Sequence, residues 1–537
     1  MKGDFSRISF DPSKHFSRVL LQQGRVTLDA NPNEQSAILL HYVRALARDL
    51  IGPCGGPIDN LGFVLSADNS VTPAKLNISA GRYYVDGILC ECDGTDYASQ
   101  RDYPLKPASD GQAGDPLLAQ LKTPNEQQGF WLYLDVWERH ITWIEDDSIR
   151  EVALNGVDTC TRAKVVWQVR AQTVEASIAA LQKKKDAVDQ QILKTTDPTE
   201  LARLQAISTR LGDDITRLRG PATGQGNPCG APLDGLDGRS NARMAARLDP
   251  GQQIKDPCSI SPDAQYRGVE NQLYRVEIHD SGTVGTATFK WSIDNGSVAT
   301  AWLSTQGSDL LVTNVRGFAS GNWVELSDDS NDLLGQPGVL VKLINVSPGK
   351  LTIDSNGPAL QDVTKLSHPK VRRWDETEND VLDQDLEWSD GAILLVEASA
   401  TDPGWISLKD GVQVQFEAGG DYRCGDYWLI PARVATGSIE WPHKTQPDGS
   451  VVWELRHPQG IEHHYASLGF LSWSANNGGF NVAVPCNCKL MPINSCAQFT
   501  GDVIGHNTIE QPGVHVVHHP TLVPAKTVVV KPKKKPK

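Results

Sequence analysis

Three places in the chain set chemically capable side chains close together. The segment HPQGIEHHY puts His457, Glu462, His463 and His464 within eight residues. Imidazole nitrogens with a carboxylate are the donor set of zinc and similar cations. The spacing is not the helical HExxH pattern, however, and Pro458 and Gly460 make the segment a loop, so a metal is the less favoured reading here. Cys486, Cys488 and Cys496, with His506, His515, His518 and His519 downstream, form a second set. Its Cys-x-Cys step departs from the two-residue spacing of zinc knuckles, and free cysteines are preferred. The third place is a strand. Asp135 and Glu138 stand three apart and point to opposite faces, so they do not make an acid–base pair, whereas Glu138 and His140 share a face. A solvated face or salt bridges account for them. No nucleophile elbow, phosphate loop or dinucleotide fingerprint occurs. The expectation is therefore no catalytic residue, no metal centre and no cofactor.

Composition narrows the class. The net charge of -14 argues against general nucleic-acid binding, which needs a basic face. No apolar run approaches the ~20 residues of a membrane span, and no secretory signal opens the chain. Ten cysteines over 537 residues without such a signal read as free thiols in a reducing compartment rather than a disulfide framework. Many of the 14 tryptophans fall in strand-like runs, which suits rigid sheet surfaces and, as an alternative, carbohydrate stacking.

The elements that must position these residues follow from periodicity. An arm with Phe5, Phe10 and Phe16 has no steady period and cannot bury its own rings, so it needs a surface from this chain or a neighbour. A strand is expected over residues 18–28. A helix follows, with Asn31 as cap, Pro32 at its first position and Glu34 completing a capping box. Its stripe of Leu39, Val43, Leu46 and Leu50, widened by Ile38 and Tyr42, is expected to face the core, and Gly52-Pro53 ends it. Residues 82–89 read as one strand. Residues 130–144 read as a longer one, whose apolar face changes parity and predicts a bulge or a change of layer. Val174, Ile178, Leu181, Val188 and Ile192, then Leu201, Leu204, Leu211, Ile215 and Leu218, follow heptad steps, with Lys185 and Ser208 in the gaps. They predict an antiparallel coiled-coil hairpin. A long connection follows, with a short helix near 240–247. Asp294-Asn295-Gly296 signals a hairpin turn, and tight turns through 310–353 suit a small SH3-like barrel.

The fold class is thus mainly β and multi-domain, built of β-sandwich or small-barrel modules, with one N-terminal helix and an inserted antiparallel coiled-coil hairpin. The divisions are an N-terminal docking arm and helix (1–52), a first β domain (53–170), the hairpin (171–219), an extended linker (220–270), a second β domain with the barrel (271–366), a third β domain (367–485) and a C-terminal tail (486–537). Val528, Val529 and Val530 give the tail a β-prone run suited to strand addition.

Several stretches resemble a bacterial family found in gene clusters for phage-tail-like contractile injection systems. They include KGDFSR and VLLQQGRVTLDA at the start, GRYYVDGILCE, LDVWERHIT, TRAKVVWQV, PDAQYRGVENQLYRVEIHD, HPKVRRWD, DYWLIPAR and HPQGIEHHYA. The resemblance covers about residues 1–170 and 240–475. Where that family has Asp-Trp-Asn-Glu before the first helix, this chain has Asn31-Pro32-Asn33-Glu34. The resemblance implies a non-enzymatic structural or assembly component near a baseplate or its peripheral fibres, present in multiple copies, made and assembled in the bacterial cytoplasm. Its partners would be other subunits of the particle, with no nucleic acid and no membrane span. Phe5, Phe10, Phe16, Val528, Val529 and Val530 are the expected assembly contacts. A glycan-binding or glycan-hydrolysing module of the same particle, and a carried toxin cargo, are the alternatives.

Overall fold

Short apolar runs make strands the commonest regular element among the described residues, and they close around three apolar cores. The computed structural model describes residues 1–105, 114–124, 129–219, 229, 236, 240–250, 265–354, 360–376, 386–396, 404–447, 451–474, 478–483 and 486–490. Among them, five α-helices interrupt the strands: α1 (Ala30–Ile51), α2 (Pro116–Lys122), α3 (Val174–Lys194), α4 (Pro198–Arg219) and α5 (Asp329–Leu334).

The first core lies against the long strand Phe130–Ile141. That strand pairs along its whole length with Arg162–Thr173 and on its other edge with His464–Ser474. The sheet therefore does not stop at residue 170, because strands from near residue 470 complete it. The parity change within residues 130–144 is not a bulge in this strand, whose register with Arg162–Thr173 is unbroken; the irregularity sits in its partner, between Ser467 and Gly469. Both parities are apolar because both faces are covered. Leu132, Leu134 and Val136 join the β core, Trp131 lies under the helical hairpin, and Trp137 packs on Val166 and Leu333. Residues 82–89 are likewise not one strand. Gly81–Val85 turns back into Ile88–Cys92 at Asp86 and Gly87, both with positive φ (48° and 81°), as a two-residue hairpin turn requires.

The second core is a sandwich. A sheet ordered Trp388–Ser389, Ala392–Leu394, Thr288–Ser292, Gln272–Ile278, Tyr427–Arg433 and Ser438–Ile439 faces a smaller one of Ile406–Ser407, Val412–Phe416 and Met244–Leu248. Met244–Leu248 is thus a strand where a short helix is expected near 240–247. Sheet pairing with Val412–Phe416 decides its state over local propensity. The third core fills a closed barrel of Ala299–Gln306, Asp309–Val312, Lys350–Ile353, Val339–Ser347, Trp323–Ser327 and Lys370–Trp374. The Asp294-Asn295-Gly296 turn makes no hairpin. It carries the chain from the sandwich strand Thr288–Ser292 into the barrel strand Ala299–Gln306, which belong to different sheets.

α3 and α4 form a helical hairpin. Leu181, Leu211, Ile215 and Leu218 bury against Trp131 and Phe470 at its base. The two polar residues in its stripe meet through one carboxylate: Lys185 lies 2.6 Å from Asp189, and the Ser208 hydroxyl donates to Asp189 at 2.6 Å.

Residues 1–490 form one compact unit, and buried charges join its cores. Lys290 of the sandwich lies 2.6 Å from Glu325 of the barrel and 3.5 Å from Glu277. Lys370 of the barrel reaches Glu145, beyond the long strand, at 2.8 Å and Asp332 of α5 at 2.7 Å. Arg139 of the long strand reaches Asp329 at 2.6 Å and Asp332 at 3.2 Å. Burial alone would raise Glu145 and Glu277. Lys370 in the first case, and Lys2 with Arg275 in the second, outweigh it and hold each carboxyl at about 2. Burial, reinforced by nearby cations, pushes His140 down to about 3 and His279 to about 4.

These histidines set an acid limit. The folded state refuses protons that the unfolded chain takes up near pH 6.5, so their stabilising contribution is full above that pH and falls as pH drops toward the folded values. Each imidazole contributes a slope of up to about 1.4 kcal/mol per pH unit. Urea melts between pH 7.5 and 5 are expected to show stability falling below pH 6.5, with a shallower fall in His140→Phe. A flat profile across that range would refute the assignment.

Candidate functional site

The first ten residues are strapped onto their own chain. Lys2 ends inside the buried seam, 2.9 Å from Glu277 and 5.5 Å from the ring centre of Trp374. The Asn295 amide, at the turn between sandwich and barrel, donates to the carbonyls of Met1 (3.2 Å) and Gly3 (2.9 Å). Phe5 packs on Leu273, Tyr427 and Leu429 and meets His140 edge-on at 6.3 Å. Phe10 lies 5.7 Å from the His41 ring of α1.

The first turn of α1 completes the strap. The helix starts at Ala30, and Asp29 caps no helical N–H. Its carboxylate accepts instead from the Ser6 N–H at 2.9 Å, Glu34 accepts from the Ser9 hydroxyl at 2.6 Å, and Gln35 accepts from the Val19 N–H at 2.8 Å. The polar residues that read as a capping box at Asn31–Glu34 thus hold the arm.

Beyond the strap the surface turns apolar. Residues 18–28 form no strand and pair with none among the described residues, and Leu20, Leu21, Val26 and Leu28 are exposed, as is Phe16. The stripe of α1 faces outward, not to the core. Leu39 is 56% exposed, Val43 and Leu46 61% and Leu50 65%, while Ala30 and Ile38 alone are buried in this helix. Of 27 large apolar side chains exposed among the described residues, eleven lie between Phe16 and Leu50. Polar contacts hold the inner face: Arg44 grips Glu138 with two hydrogen bonds (2.9 and 3.2 Å), and Arg48 lies 3.4 Å from Asp86. Gly87 lets the hairpin turn approach the Arg44 carbonyl, where a Cβ would collide. The four-three-four spacing of the stripe is one that helix seams also show.

A cavity of 350 Å³ opens beside α1, lined among others by Lys2, Arg44, Arg139, His140, Lys370 and Arg372. The histidine loop lies at its rim, with Gln459, Ile461 and Glu462 exposed there. Its three histidines do not converge. His457 Nδ1 lies 3.2 Å from the Ala242 carbonyl, His463 Nδ1 2.7 Å from Asp135, and His464 Nδ1 3.0 Å from Asp86. The His464 hydrogen bond is the main cause holding Asp86 below the usual carboxylate range. Asp135 also accepts from Arg170 at 3.1 Å, while Glu138, on the opposite face, takes Arg44. Among the described residues no group of three or more histidine, cysteine or acidic side chains is placed to hold a metal.

Of the cysteine set, Cys486 and Cys488 are among the described residues. Against the expectation of free thiols, Cys486 is disulfide-bonded to Cys229, so it has no thiolate to offer a metal. Burial pushes the nearby Cys54 thiol up to about 11. Cys496, the histidines after it, and Val528, Val529 and Val530 lie outside the described residues. Trp131, Trp137, Trp291, Trp302, Trp374, Trp428 and Trp441 are buried in the cores and offer no platform for sugars.

The close approach at Gly87 makes α1 testable. Gly87→Ala is expected to lift the helix from its seat, costing about 1–3 kcal/mol and opening residues 1–51 to limited proteolysis. Unchanged cleavage would show that the helix does not depend on that contact.

Among solved structures, the crystal structure of TssK is similar at 9% identity over 67% of this chain and 96% of that chain. The TM-score is 0.13, too low to carry an argument. No curated protein matches. A family model matches residues 1–531, helical hairpin and tail included, and the chain belongs to that family, a family of unknown function designated DUF6519.

Proposed function

We propose that this chain is a non-enzymatic structural subunit of a phage-tail-like contractile particle, near its baseplate or peripheral fibres. It docks on neighbouring subunits through the outer face of α1 and residues 16–28. The observation that carries the reading is the exposed heptad stripe Leu39, Val43, Leu46 and Leu50. A soluble chain rarely leaves an apolar patch beyond about 300–600 Å² uncovered unless something binds there. The resemblance of the N-terminal and strand motifs to a family from injection-system gene clusters supplies the particle. The docking surface is not the arm from Phe5 to Phe10, whose rings pack on the chain itself. Phe16, with its ring in solvent, belongs to it. The hairpin of α3 and α4 is a short antiparallel coiled coil with a polar outer surface, and its far end reaches toward a neighbour. The particle is assembled in the bacterial cytoplasm and holds several copies.

The test is the double variant Val43→Asp, Leu46→Asp. Both side chains are exposed, so the isolated protein is expected to melt normally, within about 0.5 kcal/mol per site. Its recovery in purified particles is expected to collapse. Full incorporation of the double variant would sink the proposal.

A further inference from the structure

The seam between the three cores pairs its buried lysines and arginines with carboxylates, Arg372 excepted, while the α-amino group of Met1 donates to the Tyr427 hydroxyl at 2.6 Å. Arg372, on the barrel strand Lys370–Trp374, is 6% exposed and lines the cavity. Among the described residues its guanidinium donates to one acceptor, the carbonyl of Gly296, and forms no ion pair. Glu325 stands directly across the ladder from it. That carboxylate is already taken. One oxygen accepts from Lys290 at 2.6 Å and the Gly338 N–H at 3.0 Å, and the other accepts from the Trp374 indole at 3.0 Å. Two further nitrogens of cavity-lining residues are buried without a partner, Nε2 of His140 and Nε of Arg139. A buried guanidinium with a single neutral acceptor is costly, and buried donors without acceptors add to the cost. The cavity has a surplus of donors and positive charge that the chain leaves unanswered.

We propose that this cavity binds a small anion, a carboxylate- or phosphate-bearing molecule, on Arg372, with the Nε2–H of His140 as a second donor. The planar fork of arginine matches paired oxygens of either group. The volume of 350 Å³ falls within the roughly 300–1,000 Å³ of small-ligand sites. Six carboxylates share the lining with seven lysine and arginine side chains, so the surplus is a single positive charge, a large polyanion is disfavoured and the ligand carries one or two anionic groups. Entry is past the exposed rim at Gln459, Ile461 and Glu462, the loop that sequence alone offers as a metal site. The inference stands independently of the assembly role.

The experiment is calorimetric titration of the full chain with inorganic phosphate and, separately, with succinate, at constant ionic strength set by sodium chloride. At least one is expected to bind saturably with one site per chain. Binding to phosphate alone assigns a phosphate-bearing ligand, and binding to succinate alone a carboxylate. Arg372→Met is expected to weaken that binding roughly tenfold to a hundredfold, the worth of a charged hydrogen bond. Arg372→Lys keeps the charge and the fold but loses the fork, and His140→Phe removes the second donor; both are expected to weaken binding several-fold. Should Arg372→Met not fold, these two carry the test. Failure of both anions to bind the unmodified chain overturns the proposal. So does binding whose affinity is the same in the Arg372 and His140 variants.

Discussion

Everything in this fold leans on charges that are buried together. Arg275, Glu277 and Lys290 stand on strand faces of the sandwich, Glu325, Lys370 and Arg372 on strands of the barrel, and Arg139 on the long strand of the first core. Taking such groups from water costs several kcal/mol each, and mutual attraction offsets this only when geometry is good and lone pairs are satisfied. Glu325 meets that condition with three donors and Glu277 with three cations. Ion pairs demand particular partners at particular distances, where apolar contacts are tolerant. The seam therefore fixes how sandwich, barrel and long strand sit on one another, and apolar packing within each core does the rest.

The N-terminal strap is part of that constraint. Lys2 shares Glu277 with Arg275 and Lys290, so the arm is built into the seam. Pinning the arm fixes the start of α1, because Asp29 and Glu34 hold Ser6 and Ser9. The inner face of α1 is then held by Arg44 and Arg48, which leaves its apolar stripe on the outside. A rigidly presented apolar stripe suits assembly, since little ordering remains to be done when a partner arrives. The seam that positions this stripe also lines the polar cavity, with Arg372 lacking a carboxylate partner among the described residues.

Local periodicity was legible in the sequence, and ownership of each face was not. The stripe from Leu39 to Leu50 sits on one side of a helix, as its spacing requires. Spacing cannot say whether that side meets this chain or another. The arm reads as needing a surface for its rings, and Phe5 and Phe10 find one within the chain while Phe16 does not. The charged residues of YRVEIH and TFKWS carry no local sign of burial, since polar residues of strands ordinarily face water. Their burial depends on the meeting of three cores, which no local window contains. Asp86-Gly87 and Asp294-Asn295-Gly296 are alike as turn signals, yet one closes a hairpin and the other joins two sheets. The segment HPQGIEHHY is a loop only as far as His463, for His464 opens the strand His464–Ser474, and the partners Asp135 and Asp86 lie more than 300 residues away in sequence.

The most direct measurement is cysteine accessibility at the centre of the α1 stripe. A Leu46→Cys chain is treated with a maleimide, alone and after assembly into purified particles, and labelling at residue 46 is read by mass spectrometry, with exposed Cys160 as an internal reference. The account predicts full labelling of residue 46 in the isolated chain and protection in the particle. Equal labelling in both states would contradict it.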